Sequence, residues 1–279
     1  MLNDIDIREL HVNGFILKRS FFSKDEINAL SKACDRDENM QKHINGYEDK
    51  DGKAVTHTLW NHPKDDIFGA FARSEKIVNS IEKFFNKEIY HYHSKLIWKR
   101  PGDGAFNWHQ DYGYWYKNGC LFPDMASCTI SIDASTKENG CLQFLKGSHL
   151  LGRIDHMVVN GQEQADPERI AEAKKTLDHE YLITEPGDAL LFHSNLLHRS
   201  DANNSDKSRR AMICCYNTKD NNPYKKHHHP QYIPLSKIPD NQIMNFAEKM
   251  SSSDEHFLRV KDVDQEWAKT KDVSTKNQS

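Results

Sequence analysis

Between residues 88 and 216 the chain is a series of short strand-like stretches separated by turns, and no other feature limits the fold as strongly. Residues 88–99 and 126–134 alternate apolar and polar side chains, which is typical of strands that bury one face. Pro-Gly-Asp sequences at 101–103 and 186–188 indicate turns. About eight such strands predict a mainly β protein with flanking helices, whose core is an antiparallel double-stranded β-helix, or jelly roll.

The N-terminal part of the chain is predicted to be mainly helical and to pack on one sheet of this core. Ser23 and Glu26 have the spacing of a capping box, which predicts the start of a helix. Apolar residues recur at helical spacing within 64–86. The polar residues 37–58 are predicted to form a loop.

We predict a single domain over residues 1–250, in which a helical part (1–87) precedes a jelly-roll core at about 88–220. The polar stretch 150–180 interrupts the strands, and it is predicted to be an insertion or lid that contains one helix. Residues 251–279 are polar and rich in serine and lysine, so we expect an accessory extension there.

The composition argues against several classes of partner. The net charge of −3 comes with no basic block, so the chain lacks the electrostatic footprint of a nucleic-acid-binding protein. No apolar run approaches the roughly 18 residues of a membrane span, and the N-terminus has no secretory signal. The six cysteines lack C-x-x-C spacing, which indicates reduced thiols. We therefore expect a cytoplasmic protein, monomeric or homodimeric, with a small-molecule substrate.

His109 and Asp111 lie two residues apart in Phe-Asn-Trp-His-Gln-Asp, a segment predicted to be a strand. In a strand, residues i and i+2 point to the same side of the sheet. An imidazole and a carboxylate can then converge on one metal ion, and a second histidine would complete the facial triad of non-heme Fe(II) oxygenases. His193 and His198 are the candidates, because both flank a strand that follows a Pro-Gly-Asp turn.

An arginine at the start of the last predicted strand is the candidate for binding a diacid cosubstrate. Arg209 follows His198 by one strand, and its planar guanidinium can bind a carboxylate through two hydrogen bonds. Arg210 would take this role if the strand register slipped by one residue.

Four groups of residues occur in a characteristic order. They are Trp-His-Gln-Asp at 108–111, Asn-Gly-Cys-Leu at 139–142 with Lys-Gly-Ser-His at 146–149, Pro-Gly-Asp-Ala-Leu-Leu-Phe-His at 186–193, and His-Arg-Ser at 198–200 with Arg209 behind it. In these motifs the chain resembles the phytanoyl-CoA dioxygenase family of Fe(II)/2-oxoglutarate-dependent oxygenases, which includes ectoine hydroxylase and 2-aminoethylphosphonate hydroxylases.

The resemblance implies roles for individual residues. The iron ligands would be His109, Asp111 and His198, and His193 would be a non-ligand histidine that ends the preceding strand. Ser200 and Arg209 would bind the distal carboxylate of 2-oxoglutarate.

Other positions in the motifs bear on the cosubstrate and the reaction. Lys95 is a further candidate contact, for cosubstrate or substrate, unless its strand face is solvated. Two positions depart from the family pattern, since Arg199 replaces a glycine and Ile97 replaces an asparagine that contacts the cosubstrate in many members. With O2 the expected reaction is hydroxylation of a C–H bond, which releases succinate and CO2. Asp111 favours hydroxylation over halogenation, because related halogenases have alanine or glycine at this position.

The predicted substrate is a small polar metabolite, such as 2-aminoethylphosphonate or an amino-acid-like zwitterion. Lys95, Lys99 and Arg100 are the cations expected to suit such a molecule. Aromatic residues of a predicted loop at 112–124, notably Tyr112 and Trp115, either line the substrate pocket or pack as a loop, and His62 is a candidate for capping that pocket. The three histidines at 227–229 are predicted to lie in an exposed loop.

Two other functions remain open at the level of the sequence. One is a cupin-like metal-binding sensor or isomerase that oxidises nothing, and Arg209 is the feature that argues against it. The other is a zinc hydrolase, which ranks last because the chain has no His-Glu-x-x-His helix.

Overall fold

The computed structural model describes residues 1–159, 162–249 and 257–258. Its strands are β1 (Phe15–Lys18), β2 (Asn45–Glu48), β3 (Ala54–Trp60), β4 (Ile89–Lys99), β5 (Phe106–His109), β6 (Met125–Ser131), β7 (Leu142–Leu145), β8 (His156–Val159), β9 (Gln162–Ala165), β10 (His179–Leu182), β11 (Ala189–His193), β12 (His198–Ser200) and β13 (Arg209–Thr218).

The α-helices are α1 (Asp4–Asn13), α2 (Lys24–Arg36), α3 (Glu38–Lys42), α4 (Ile67–Ala72), α5 (Glu75–Phe85), α6 (Asp111–Lys117) and α7 (Pro167–Thr176). Short 3₁₀ helices cover Ser148–Leu151, Lys219–Asn221 and Asp240–Phe246. None of the helices in this part of the chain is both long and apolar enough to cross a membrane.

Two antiparallel sheets form the predicted jelly roll. The larger sheet has seven strands in the order β1-β11-β6-β13-β4-β3-β2, and the smaller has four in the order β10-β7-β12-β5. A separate hairpin joins β8 to β9. Each sheet supplies residues to the space between them, so a site built there draws on strands that are distant in the sequence.

Helices of the N-terminal part cover the outer face of the larger sheet, as predicted. Leu30 and Ile81 from the helices share one apolar cluster with Cys128, Leu191 and Met212 from the strands. Burying a side chain of this size contributes about 1.5–3 kcal/mol. The capping box of α2 is present, with the Ser23 hydroxyl accepting from the Glu26 amide and the Glu26 carboxylate accepting from the Ser23 amide.

Strand β6 shows how the sheet separates its two faces. Cys128 and Ile130 belong to the apolar cluster under the helices. The alternate residues Ser127, Thr129 and Ser131 point to the other side, into the space between the sheets. Strand β6 therefore places polar groups in the interior of the jelly roll, where a binding site for charged molecules can use them.

The prediction of a loop at 37–58 is wrong. This stretch contains α3, β2 and most of β3, and β3 pairs with β4 from His57 opposite Ile97 to Trp60 opposite Ser94. Together with β1, the N-terminal part therefore adds three strands to the larger sheet. Pairing with a distant strand supplies the hydrogen bonds that stabilise these short segments, and local sequence patterns do not report such pairing.

The segment after His109 is also different from the prediction. The strand β5 ends at His109, and Asp111 is the first residue of α6, so residues 111–117 are helical and not an aromatic loop. Gly113 allows this helix to approach the hairpin, because a Cβ there would lie 2.1 Å from the His156 ring. The predicted insertion at 150–180 contains the hairpin and α7, a helix close to the one predicted.

Most of the predicted extension 251–279 lies outside the described residues. Phe257, however, is 3% exposed and contacts the Trp60 ring edge-on, with centroids 6.0 Å apart. It also stacks on His43 at 5.6 Å. This part of the extension is therefore packed in the core.

Candidate active site

His109, Asp111 and His198 converge between the sheets, and their ligand atoms all lie within 4.8 Å of one another. Residues His109 and His198 are direct register partners on β5 and β12, which brings their rings to 4.1 Å between centroids. Asp111 Oδ1 is 3.9 Å from His109 Nε2 and 3.8 Å from His198 Nε2. The chain thus assembles the three predicted ligands although Asp111 is not in a strand.

Hydrogen bonds orient both imidazoles for metal binding. The Nδ1 of His109 donates to the carbonyl oxygen of Asn107 at 2.7 Å, and the Nδ1 of His198 donates to that of Leu196 at 2.9 Å. A neutral imidazole that carries its hydrogen on Nδ1 has a lone pair on Nε2. The two Nε2 atoms therefore point at Asp111 as acceptors, which is the state that a metal ion requires.

The carboxylate of Asp111 is ionised and held in place. The hydroxyl of Ser127 donates to Asp111 Oδ2 at 2.9 Å, which leaves Oδ1 to face the histidines. Burial opposes the charged form, but the charge of Lys95 and the hydrogen bond from Ser127 act against it, and the Asp111 pKa is lowered to about 2. Two neutral imidazoles and one carboxylate are the donor set of non-heme Fe(II) oxygenases, so these residues fit a bound iron.

His193, the alternative ligand, lies elsewhere. Its Nδ1 accepts a hydrogen bond from the Asn195 amide at 3.0 Å, and its ring contacts Phe84 and Phe85 beneath the larger sheet. Burial lowers the His193 pKa to about 3, and the nearby His149 adds to the shift. A neutral, packed histidine in this position has a structural role.

A pair of buried cations lies further along the interior. Arg209 and Lys99 are direct register partners on β13 and β4, and they are 5% and 3% exposed. The ammonium of Lys99 donates to the Ser200 hydroxyl at 2.8 Å, so Ser200, Lys99 and Arg209 meet at one place. The side chain of Arg209 forms a single hydrogen bond within the described residues, a long one of 3.4 Å from Nε to the Asn139 carbonyl.

No carboxylate within the described residues forms an ion pair with either cation. Burial lowers the pKa of Lys99 well below its usual range, and the charge of Arg209 adds to the shift. Burial also lowers the Arg209 pKa to about 10. Two like charges opposite each other in a sheet are destabilising. The arrangement is therefore suited to an anion that is not part of the chain.

Arg210 points to the opposite face of β13. Its guanidinium bonds Asp133, and Asp35 and Ser31 on α2. The alternative in which Arg210 replaces Arg209 in the interior does not occur.

A cavity opens directly over the triad. Lys95 and Trp115, two of the candidate contact residues, line it, and Lys95 is half-buried. The lining residues are Tyr47, His57, Leu59, His93, Lys95, Ile97, Phe106, His109, Asp111, Tyr114, Trp115, Asn118, Gln162, Glu163, His228 and His229.

Two candidate substrate residues are not brought to this cavity. His62 is exposed and lies outside the lining. Tyr112 is buried in a neighbouring apolar cluster, where its hydroxyl donates to the Cys120 carbonyl at 3.1 Å. Of the three cations expected near the substrate, Lys99 lies beside Arg209, and Arg100 lies over the Trp98 ring.

Residues 227–229 lie in a loop, as predicted, but the prediction that this loop is exposed is wrong. His228 and His229 line the cavity, and the His229 ring stacks on His93 with centroids 4.5 Å apart and an interplanar angle of 16°. Asn61 anchors this segment, because its amide nitrogen donates to the His228 carbonyl and its Oδ1 contacts His229 Nδ1 at 2.9 Å.

Sequence reasoning assigned no role to four residues that contact the triad or the cavity wall, namely Ser127, Asn61, His93 and His229, and it did not place Lys99 beside Arg209. The alternation of β6 offered one usable signal, since a serine that alternates with Cys128 and Ile130 must face the interior. The histidine tract had no local signal, because its contacts come from β4 and from Asn61, which follows β3.

The profile of the family described as Phytanoyl-CoA dioxygenase (PhyH) matches residues 10–211 of the chain. An L-proline trans-4-hydroxylase of Streptomyces griseoviridis is 27% identical over 58% of this chain and 67% of its own length. A 2-aminoethylphosphonate dioxygenase of an uncultured bacterium, HF130_AEPn_1, is 31% identical over 53% of this chain and 53% of its own. The chain thus spans between half and two thirds of these relatives.

The crystal structure of EctD from S. alaskensis with 2-oxoglutarate and 5-hydroxyectoine aligns with a TM-score of 0.71 at 19% identity, covering 85% of this chain and 88% of that one. This likeness confirms the predicted jelly roll. The profile covers well over half of the chain, and the triad has the donor set of iron oxygenases. The chain therefore belongs to the phytanoyl-CoA dioxygenase family of Fe(II)/2-oxoglutarate-dependent oxygenases.

Proposed function

We propose that this protein hydroxylates a C–H bond of a small zwitterionic metabolite, with Fe(II), 2-oxoglutarate and O2, and releases succinate and CO2. His109, Asp111 and His198 would bind the iron, and Arg209, Ser200 and Lys99 would bind the distal carboxylate of 2-oxoglutarate. When bound, iron and 2-oxoglutarate supply the oxidation, in which one oxygen atom of O2 enters the substrate and the other enters succinate. The six buried cysteines, which form no disulfide, support a cytoplasmic location.

The observation that carries the proposal is the buried pair Lys99 and Arg209 at a suitable distance from the triad. Ser200, which accepts from Lys99, lies two residues after His198 on the same strand. Two residues of strand span roughly 7 Å, which suits a short diacid that reaches from the metal to the cations. A metal-binding protein that does not use such a diacid has no reason to bury there two cations that form no ion pair with the described residues.

The remaining residues shape the reaction space. Ser127 orients Asp111, and the hydrogen bonds to Asn107 and Leu196 orient the histidines. The hairpin β8–β9 closes one side, because Gln162 accepts from the Asn107 amide and donates to the Ala105 carbonyl. Excluding water in this way protects the oxidising step from side reactions. The hairpin would thus act as the predicted lid.

The substrate class rests on two kinds of support. The relatives named for L-proline and for 2-aminoethylphosphonate act on zwitterions, according to their names. The cavity over the triad is lined mainly by apolar surface, and Lys95 supplies a positive charge in its wall. A zwitterionic amino acid or aminophosphonate is therefore the substrate that we propose.

The test is an anaerobic titration of the purified protein with Fe(II) and 2-oxoglutarate, in which the visible charge-transfer band of the chelate is recorded. We expect the band in the wild type and in Arg210→Met, and its loss in His109→Ala and Arg209→Met. If iron binds and no band forms in the wild type, the proposal is wrong and a metal-binding protein without oxidase activity takes its place. Equal effects of the two arginine variants would also contradict it.

A further inference from the structure

The cavity over the triad has a second wall of histidines that the reaction described above does not use. His229 and His93 stack there in parallel, and the Tyr92 ring lies 4.6 Å from His229. His229 is 7% exposed and His93 is 4% exposed, yet both line the cavity. The Nδ1 of His93 is buried without a hydrogen-bond partner within the described residues. Leaving a buried polar atom unpaired is unfavourable, so such an atom points to a partner that the described residues do not supply.

Hydrogen bonding around Asn61 determines which nitrogen of His229 carries the hydrogen. The amide nitrogen of Asn61 donates to the His228 carbonyl, so its Oδ1 must be the acceptor atom that faces His229. His229 Nδ1 therefore carries the hydrogen and donates to Asn61 at 2.9 Å. In the neutral ring, Nε2 is then a hydrogen-bond acceptor. This atom has no partner within the described part of the chain.

Burial and the neighbouring His93 keep His229 neutral, since both lower the His229 pKa well below its usual range. The acceptor character of Nε2 thus persists at neutral pH. An acceptor in a cavity wall selects a ligand with an N–H or O–H group. It discriminates against a ligand that presents only anionic oxygens, because two acceptors repel each other.

Lys95 supplies a positively charged hydrogen-bond donor in the wall of the same cavity. Its ammonium forms no ion pair or hydrogen bond with the described residues, and its charge acts on both Asp111 and His229. The other acid in the lining, Glu163, is already paired with Lys117. The ammonium of Lys95 is therefore available for an anionic group of a bound molecule.

We propose that the protein binds both charged groups of a zwitterionic substrate. The ammonium group donates a hydrogen bond to Nε2 of His229, and the anionic group is bound by Lys95. This inference rests on the proposed function, and it assigns the residues that select a zwitterion. Asn61 is the positioning residue, because it sets the hydrogen of His229 on Nδ1. His93 supports the His229 ring from the side by stacking on it.

The experiment measures binding, not turnover. Calorimetric titrations of the anaerobic Fe(II)- and 2-oxoglutarate-loaded protein compare three matched pairs of compounds, in which only one member has an amine. The pairs are 2-aminoethylphosphonate and ethylphosphonate, β-alanine and propionate, and L-proline and cyclopentanecarboxylate. We expect at least one amine to bind about ten-fold or more tightly than its partner, which corresponds to one charge-assisted hydrogen bond.

Substitutions test which residues are responsible for the preference for the amine. His229→Phe should abolish the preference for the amine, and His229→Gln should restore part of it, since its amide oxygen can accept. Lys95→Met should weaken the binding of both members of a pair. Asn61→Ala should reduce the preference without removing the imidazole. His62→Phe, at an exposed histidine outside the cavity, is the matched control and should change nothing.

The charge-transfer band separates this inference from the proposed function. A band that persists in His229→Phe shows that the variant is folded and binds the cosubstrate. If the wild type forms the band but prefers no amine in any pair, the inference is overturned while the oxygenase function stands. If Lys95→Met weakens 2-oxoglutarate and leaves substrate binding intact, Lys95 serves the cosubstrate and its assignment here is wrong. If the wild type forms no band, the proposed function itself fails.

Discussion

Lys99 and Arg209 lie directly opposite each other on neighbouring strands and point to the same interior, although both are cations and both are buried. Lys99 donates hydrogen bonds to Ser200 and the Asp201 carbonyl, whereas Arg209 forms, among the described residues, only a long bond to the Asn139 carbonyl. Arg209 therefore contributes an unfavourable charge to the protein without cosubstrate, and this charge becomes favourable when a carboxylate binds.

Arg209→Met should raise the free energy of unfolding of the cosubstrate-free protein by about 1 kcal/mol, because it removes one of two opposed buried charges. The same variant should gain almost no stability from 2-oxoglutarate, whereas the wild type should gain about 2.7 kcal/mol at a ligand concentration of 100 times Kd. Urea unfolding with and without 2-oxoglutarate measures both effects.

Arg210→Met is the control for this prediction. It breaks ion pairs with Asp133 and Asp35, so it should destabilise the protein and leave the gain from 2-oxoglutarate unchanged. A loss of stability in cosubstrate-free Arg209→Met as large as that in Arg210→Met would contradict the prediction.

Ser127→Ala should weaken metal binding about 10- to 100-fold, because Asp111 loses the donor that fixes the orientation of its carboxylate. Titration of the metal-free protein with Mn(II) measures the affinity. Ser131→Ala is the matched control, since Ser131 lies on the same face of the same strand but bonds Thr184. Equal losses in the two variants would show that the strand, and not the contact with Asp111, is responsible.

Stability should fall in acid partly because His193 resists protonation in the folded protein. Burial lowers its pKa to about 3, and its Nδ1 accepts from the Asn195 amide, whereas in the unfolded chain it takes up a proton near pH 6.5. Its contribution is therefore fully present above pH 6.5 and is lost as the pH falls towards 3. At pH 5 the loss from this residue is about 2 kcal/mol.

His193→Asn keeps an acceptor in place of Nδ1 and removes the titration. The free energy of unfolding of this variant should drop less between pH 7.5 and pH 5 than that of the wild type, by about 2 kcal/mol. Denaturant unfolding at the two pH values measures the difference. Parallel pH profiles for the two proteins would exclude His193 as a source of acid sensitivity.

Phe257→Ala should destabilise the protein by about 3–5 kcal/mol, because the ring fills a buried position against Trp60 and His43. Phe122→Ala, at a residue that is 54% exposed, should change the free energy of unfolding by less than about 0.5 kcal/mol. Thermal or urea unfolding of the two variants measures the difference in their stability. A negligible effect of Phe257→Ala would mean that this part of the C-terminal segment does not support the core.

The sequence by itself determined the local features of this protein. The capping box at Ser23, the alternation of β6 and the turn before β11 depend on neighbouring residues, so they can be recognised without the fold. The order of the motifs also identified the family, the three metal-binding candidates and Arg209. These residues form compact local patterns, which one chain is sufficient to reveal.

Only the tertiary structure decided how distant residues meet. It placed Asp111 at the start of a helix and still within 3.9 Å of His109, and it brought Lys99 opposite Arg209. It also turned the histidine tract inward, because Asn61, which is distant in sequence, forms hydrogen bonds with His228 and His229. The physical reason is that hydrogen bonds and burial between strands distant in sequence outweigh local conformational preferences. The sequence of a short segment does not indicate which distant segment it will pair with.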